Sequence, residues 1–342
     1  MDIKAAIKQV CSSEHLSETQ MIAVMRDIMQ GNTTNAQNAA FLVGLQMKGV
    51  QVSEILGGAR VMRELVTRVE LSPSEHLVDT CGTGGSGSNK FNISTAAAIV
   101  AACAGAKVAK HGNRGASSIS GSADVLEAAG VSLSLGPAQV AQTIEQVGVG
   151  FMFAAAHHSA MKHVITARKE IGVRTVFNLL GPLTNPASAP NQVMGVFDPV
   201  WIDPLLEVLA SLGSKHVLIV CSEDGLDEIS ISAKTHVGEL RDGKIRRYSV
   251  APEDFGITTY DNFAMLQIAS VEESLQMMKQ ALSYQHQAAG DIVAVNAGAA
   301  IYAANLSDDL ISAVEIAKGL MHSSEPLDKL MQLSDFTQSF SA

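Results

Sequence analysis

Asp79-Thr-Cys-Gly-Thr-Gly-Gly-Ser-Gly-Ser-Asn-Lys-Phe-Asn-Ile-Ser-Thr95 reads as the end of a strand, a glycine loop and the start of a helix. Leu77 and Val78 suit a short buried strand, and Gly82, Gly84, Gly85 and Gly87 free the backbone to curl. Ser94 or Thr95 can cap the apolar helix that follows. Such a turn gathers backbone N–H groups and the positive end of a helix dipole around one anion, so it is a candidate phosphate cradle. Gly-Ser stretches also serve as plain connections, and the loop alone leaves both uses open.

Outward from this loop the pattern divides. Residues 1 to about 72 read as helices only. Ser17-Glu-Thr-Gln20 and Thr34-Asn-Ala-Gln37 fit the capping box, Gly31 and Gly49 stop those helices, and a further helix from Ser53 carries Ile55, Leu56, Ala59, Met62, Val66 and Val69. Leu71 to Glu75 forms the exit hinge. Beyond it, short apolar runs alternate with helices, which implies a largely parallel sheet. Val108 and Ala109 predict a second strand, Ser122 to Ala129 a helix stopped by Gly130, and Val131 to Leu135 a third strand. Pro137 opens another helix closed at Gly148. Runs at 235–240 and 244–250 flank Asp242-Gly243, a hairpin signal that makes the sheet mixed.

The chain has 342 residues, long for one core, so one large and one smaller domain are expected. A net charge of −10 argues against nucleic acid as the main partner. Cys11, Cys81, Cys103 and Cys221 lie far apart and imply a reducing cytosol, and the charged N-terminus does not read as a signal peptide. The apolar, uncharged run Phe91 to Ala106 is too short for a membrane span. The expectation is a soluble cytoplasmic protein. His157, His158 and His163 lack further ligands at zinc spacing.

The ordered motifs Gly82-Thr-Gly-Gly85, Asn92-Ile-Ser-Thr95, Lys110-His-Gly-Asn-Arg114, Ser120-Gly-Ser-Ala-Asp124, Ala160-Met-Lys-His163 with His158 and Arg168, Phe177-Asn-Leu-Leu-Gly-Pro-Leu-Thr-Asn-Pro186 and Asp224-Gly-Leu-Asp-Glu-Ile-Ser230 run along nearly the whole chain. On these motifs the sequence resembles the anthranilate phosphoribosyltransferase family. The resemblance implies transfer of a phosphoribosyl group from phosphoribosyl pyrophosphate to the amino nitrogen of anthranilate. Pyrimidine nucleoside phosphorylases and non-catalytic nucleic-acid-binding relatives share the architecture. The motif at Lys110 to Arg114 and the acidic balance argue against each in turn.

Further implications follow from the same resemblance. The donor site comprises Gly82, Gly85, Ser86, Lys90, Asn92, Ile93, Ser94, Thr95, Lys110, His111, Gly112, Asn113, Arg114, Gly115, Ala116, Ser117, Ser118 and Ser122. Gly82, Asn113, His158 and Arg168 hold anthranilate, and Ser94, Asp227 and Glu228 hold Mg²⁺. From the residues alone, Arg168 also suits a solvated surface run and Asp227-Glu228 a polar turn after the strand His216 to Val220. The implied fold is α/β: a helical domain of residues 1–72 with a returning segment 166–187, and an α/β domain of residues 73–165 and 188–342. The site then lies in the interdomain cleft, closed about linkers at 72–76 and near 166 and 187, and the helical domain forms a homodimer. Ser86 stands where the family usually has Asp. Lys90 replaces a phosphate-binding hydroxyl, and either compensates electrostatically or points to solvent. Ala155, Ser159 and Thr166 replace prolines.

Overall fold

Side-chain caps start the first helices. The computed structural model describes residues 1–84, 88–115 and 118–341. In α1 (Ile3–Cys11), Asp2 Oδ1 accepts the Ala5 N–H at 2.8 Å. α2 (Glu18–Met29) and α3 (Asn35–Lys48) begin on the reciprocal boxes of Ser17 with Gln20 and Thr34 with Gln37. Gly49, at φ +81°, ends α3 in a conformation that favours glycine. α4 (Val52–Leu65) is shorter than its apolar stripe suggested. Val66 is extended, and Thr67 and Val69 donate their N–H groups to the His157 and Pro186 carbonyls. Val69 accordingly packs with Leu77, Ala109, Val140, Ile144 and Met152 rather than with the helices.

α2, α3 and α4 bury Met21, Met25, Ile28, Phe41, Leu42, Leu45 and Ile55. Val164, Val176, Phe177, Leu179, Leu180 and Leu183, from much later in the chain, enter the same core. Polar ties also cross this contact, from Asn38 Nδ2 to His163 O at 3.2 Å and from Arg63 Nε to Leu183 O at 2.6 Å. Burial of each large apolar side chain is worth about 1.5–3 kcal/mol, against about 1 kcal/mol for a hydrogen bond, so apolar contact dominates the docking. An ion pair from Lys48 Nζ to Glu54 Oε2 at 2.7 Å lies inside this layer, and Glu54 also accepts the N–H groups of Leu16 and Gln51.

The larger part is built on a seven-stranded sheet of order β3-β2-β1-β4-β5-β6-β7. Its strands are β1 (Leu77–Gly82), β2 (Lys107–Gly112), β3 (Val149–Phe153), β4 (Asn191–Gly195), β5 (His216–Ser222), β6 (Thr235–Arg241) and β7 (Lys244–Val250). Pairing is parallel from β3 to β5 and antiparallel beyond, with Val78 opposite Val108 on one side and Asn191 on the other. Asp242 and Gly243 both take positive φ, +51° and +76°, as a tight hairpin requires.

The third strand is not where alternation placed it. Val131 to Leu135 forms no strand: the Val131 and Ser132 N–H groups go to Leu126 O and Thr337 Oγ1, leaving no ladder. β3 instead follows Gly148, whose φ of +90° ends α7 (Pro137–Val147), the last of three helices after β1 with α5 (Ile93–Cys103) and α6 (Ser122–Ala128). Helices cover both faces of the sheet, and the helix Gln287–Ala303 is buried from Ala288 to Ala303. Among the described residues no helix is long and apolar enough to cross a membrane.

At the antiparallel edge Glu239 is fully buried. Its carboxylate meets Arg246 through both oxygens, the hydroxyls of Tyr248 at 2.8 Å and Tyr302 at 3.0 Å, and His216 Nε2 at 3.4 Å. Burial alone raises such a carboxyl, but the neighbouring His216 and hydrogen bonds from Tyr248, Tyr302 and Arg246 outweigh it and hold the group down to about 2. A depressed carboxyl contributes stability that is full above its unfolded value and is lost as pH falls through the folded one. Glu239→Gln is therefore expected to cost about 2 kcal/mol at pH 7 and nothing near pH 2. Urea melts of both proteins across that range check it.

Candidate active site

The chain runs from β1 to β2 and β3 on one side, then crosses to β4 on the other side of β1. The carboxyl ends of β1 and β4 therefore form a topological switch point, where open α/β sheets bind ligands. Gly82 and Gly195 end these two strands side by side. A Cβ on Gly195 would collide with the Asp227 carbonyl, and one on Gly82 would lie 3.0 Å from Asp227 Oδ2. Glycine at both positions is what lets the loop after β5 lay Asp227 across the switch point.

α5 starts at Ile93, so Ser94 and Thr95 lie in its first turn and neither caps it. Asn92 is the capping position but makes no side-chain cap bond. Its amide is a strut: Nδ2 donates to Ser120 O at 3.2 Å, and Oδ1 accepts the hydroxyls of Ser120 and Ser274, both at 2.7 Å. The Ile93 side chain is in the core. The Glu228 carboxylate sits near the positive end of α5, where the Ser94 N–H helps to hold its pKa down. Burial and the neighbouring Asp227 push Glu228 up to about 7 against the pull of Lys90 and Lys110.

Lys110 leaves β2 beneath this turn. Its buried Nζ donates to Thr80 O at 2.5 Å and lies 3.3 Å from both Thr80 Oγ1 and Ser94 Oγ. Burial lowers its pKa, and Asp79, buried with Oδ2 unpartnered, opposes that shift. Lys90 does not point to solvent: Nζ is 2.5 Å from Asp227 Oδ1, with side chains only 12% and 10% exposed.

The segment after Lys110 is folded on α6. A Cβ on Gly112 would collide with Ser122 Oγ, which itself donates to Asn113 O at 3.4 Å. Asp124 Oδ2 accepts the N–H groups of Gly115 at 2.8 Å and Gly121 at 2.9 Å. Arg114 turns onto Asp124 and Glu127 at 3.0 and 2.7 Å, and Ser118 Oγ donates to Ser120 O. The exposed Asn113 accepts the Arg114 N–H through its own Oδ1. Gly85, Ser86, Ala116 and Ser117 lie outside the described residues.

His158 and His111 form a second group, with ring centroids 5.1 Å apart and both Nε2 atoms buried without a partner. Burial, then the neighbouring histidines, push His111 down to about 3 and His158 down to about 4, so both rings are neutral. Arg168, on the helix Ile165–Ile171, holds its guanidinium 5.3 Å from the Phe177 ring centroid. Burial lowers its pKa, and among the described residues no carboxylate pairs with it.

Sequence reasoning missed Thr80, Asp79 and Phe177 as supports of the site, because each acts through a partner distant in the chain. Asp124 was missed in the same way, and its position two residues after Ser122 was the available signal. Among the described residues no three His, Cys, Asp or Glu side chains gather into a metal cluster. Two carboxylates and the Ser94 hydroxyl are nevertheless the sparse, hard-oxygen donor set that suits Mg²⁺, which leans on phosphates and water for the rest.

The helical bundle, the switched α/β sheet, the buried lysine and the acidic pair at the switch point sit in a chain whose two parts both match a glycosyl transferase family, which makes it a transferase of that class. The glycosyl transferase family's helical bundle domain matches residues 4–66, and its a/b domain matches residues 74–326. An anthranilate phosphoribosyltransferase of Thioalkalivibrio sulfidiphilus is 56% identical over 339 residues, covering 99% of this chain and 100% of that one. The anthranilate phosphoribosyltransferase crystal structure from Thermus thermophilus superposes with a TM-score of 0.91 at 41% identity, covering 97% of this chain and 99% of that one. The Saccharomyces cerevisiae enzyme in complex with PRPP and Mg gives 0.89 at 26% identity, covering 98% of each chain. The chain belongs to the anthranilate phosphoribosyltransferase family.

Proposed function

We propose that the protein transfers the phosphoribosyl group of phosphoribosyl pyrophosphate to the amino nitrogen of anthranilate, a step of tryptophan biosynthesis. The observation that carries this is the meeting of Lys110, Ser94, Lys90 and the Asp227–Glu228 pair at one switch point. In the reaction the bond from ribose C1 to pyrophosphate breaks, C1 bonds to nitrogen, and the amine loses a proton. Positive charge builds on the sugar and negative charge on pyrophosphate, so the enzyme's work is to place cations and N–H donors at the leaving group. Lys110, Lys90 and the backbone from Gly82 and from Gly112 to Ser122 take that part. Asp227, Glu228 and Ser94 would hold Mg²⁺, which would neutralise charge on the pyrophosphate. Arg168, with Asn113, His158 and Gly82, holds anthranilate. Its aniline-type nitrogen is already neutral near pH 7, so alignment matters more than a strong base.

The segment 166–187 belongs with residues 1–72 in one helical domain, which the shared apolar core supports. That domain provides a homodimer interface. The protein acts in the cytoplasm, in keeping with free thiols at all four cysteines. The test of function is anthranilate fluorescence, which is expected to fall only with phosphoribosyl pyrophosphate and Mg²⁺ both present, and to stay constant in EDTA. No loss at any Mg²⁺ concentration overturns the proposal.

A further inference from the structure

The ion pair between Lys90 and Asp227 joins residues far apart in the chain at the acidic end of the switch point. Ser88 Oγ lies 3.4 Å from the same ammonium, and Glu228 and Asp224 add their attraction from the Asp227 loop. From the β2 side Lys110 bears on Glu228 as well. Asp227, Glu228 and, more weakly, Asp224 thus face two ammonium groups before any ligand arrives. Resting on the reading of Asp227 as a metal ligand, we infer that Lys90 is a resident counter-ion that keeps Asp227 closed to divalent metal in the free protein and yields it when a polyphosphate arrives.

The argument is electrostatic. A divalent ion approaching Asp227 alone must break an ion pair that is largely out of water and then sit beside the displaced ammonium. A polyphosphate changes that balance, because its oxygens take over the ammonium through charge-assisted hydrogen bonds. Asp227 then faces a site whose net charge is negative again. The consequence is that metal and phosphate enter together, where a hydroxyl at position 90 would let metal bind first.

Equilibrium dialysis of Mn²⁺ against the full-length protein tests this without turnover. Wild type, Lys90→Gln, Lys90→Met and Lys90→Gln combined with Asp227→Asn are compared, each with and without inorganic pyrophosphate in both compartments. Both single variants are expected to bind Mn²⁺ alone about tenfold more tightly than wild type, about 1.4 kcal/mol. Wild type is expected to match them only with pyrophosphate present. Equal affinity of wild type and either folded single variant for Mn²⁺ alone overturns the inference. If adding Asp227→Asn leaves Mn²⁺ uptake by Lys90→Gln unchanged, the metal-ligand reading of Asp227 falls, and the inference with it.

Discussion

Arg168→Ala is expected to raise the Michaelis constant for anthranilate about a hundredfold while moving that for the phosphoribosyl donor less than about threefold. A guanidinium meets a carboxylate through two parallel charge-assisted hydrogen bonds, and losing such a pair costs about 1.5–3 kcal/mol per bond, less whatever water restores. Arg168 is suited to that task because its head is half-buried over the Phe177 ring and has no carboxylate of its own among the described residues. The Phe177 ring beside the guanidinium restrains its head before anthranilate arrives, which reduces the ordering cost of binding. Phe177 is anchored in the helical core beside Leu180, so the acceptor site takes its rigidity from the bundle. Arg168→Lys keeps the charge but loses the fork, and about a tenfold rise is expected. Steady-state kinetics with each substrate varied in turn decides it. Equal increases for both substrates would remove Arg168 from the acceptor site.

The elements that were legible in the sequence are those fixed by near neighbours. Capping boxes at Ser17 and Thr34, the stops at Gly49 and Gly148, and the turn at Asp242-Gly243 each depend on residues within one turn of one another. The misplaced third strand shows the limit of such patterns. Val131 to Leu135 alternates as a strand does, but its first amides are taken by a helix end and by Thr337, whereas Val149 to Phe153 has β2 beside it. A ladder needs a partner, and alternation says nothing about one. The site residues divide in the same way. Lys110 and Gly112 lie in one contiguous motif and were readable, whereas the glycine loop beyond Gly84 lies outside the described residues. The use of Asn92 as a strut to Ser120 and Ser274, and of Lys90 as the partner of Asp227, follows from topology that brings remote segments together.

Asp124→Ala is expected to raise the Michaelis constant for the phosphoribosyl donor on the order of a hundredfold, with less than about a threefold change for anthranilate. Asp124 lies on α6, yet its Oδ2 accepts N–H groups from both Gly115 and Gly121 and its Oδ1 meets Arg114. These bonds pin the segment between Lys110 and Ser122 at Gly115 and at Gly121. Burial raises the carboxyl's pKa, but the Gly115 and Gly121 N–H groups and Arg114 outweigh it and keep the group ionised. Alanine removes the acceptor and leaves two glycines, the residues least able to hold a conformation unaided. The donor loop then pays an ordering cost at every binding event that the wild-type protein meets on folding. Glu127→Gln is the control: it loosens only the exposed end of the Arg114 pair, and its effect should stay within about threefold. Because these bonds act on the loop and not on the core, the melting temperature of Asp124→Ala should fall by only a few degrees, about what 1 kcal/mol produces in a chain of this size. An unchanged donor constant in a protein with an unchanged melting temperature would mean that the Asn92–Ser120–Ser274 tie holds the segment by itself.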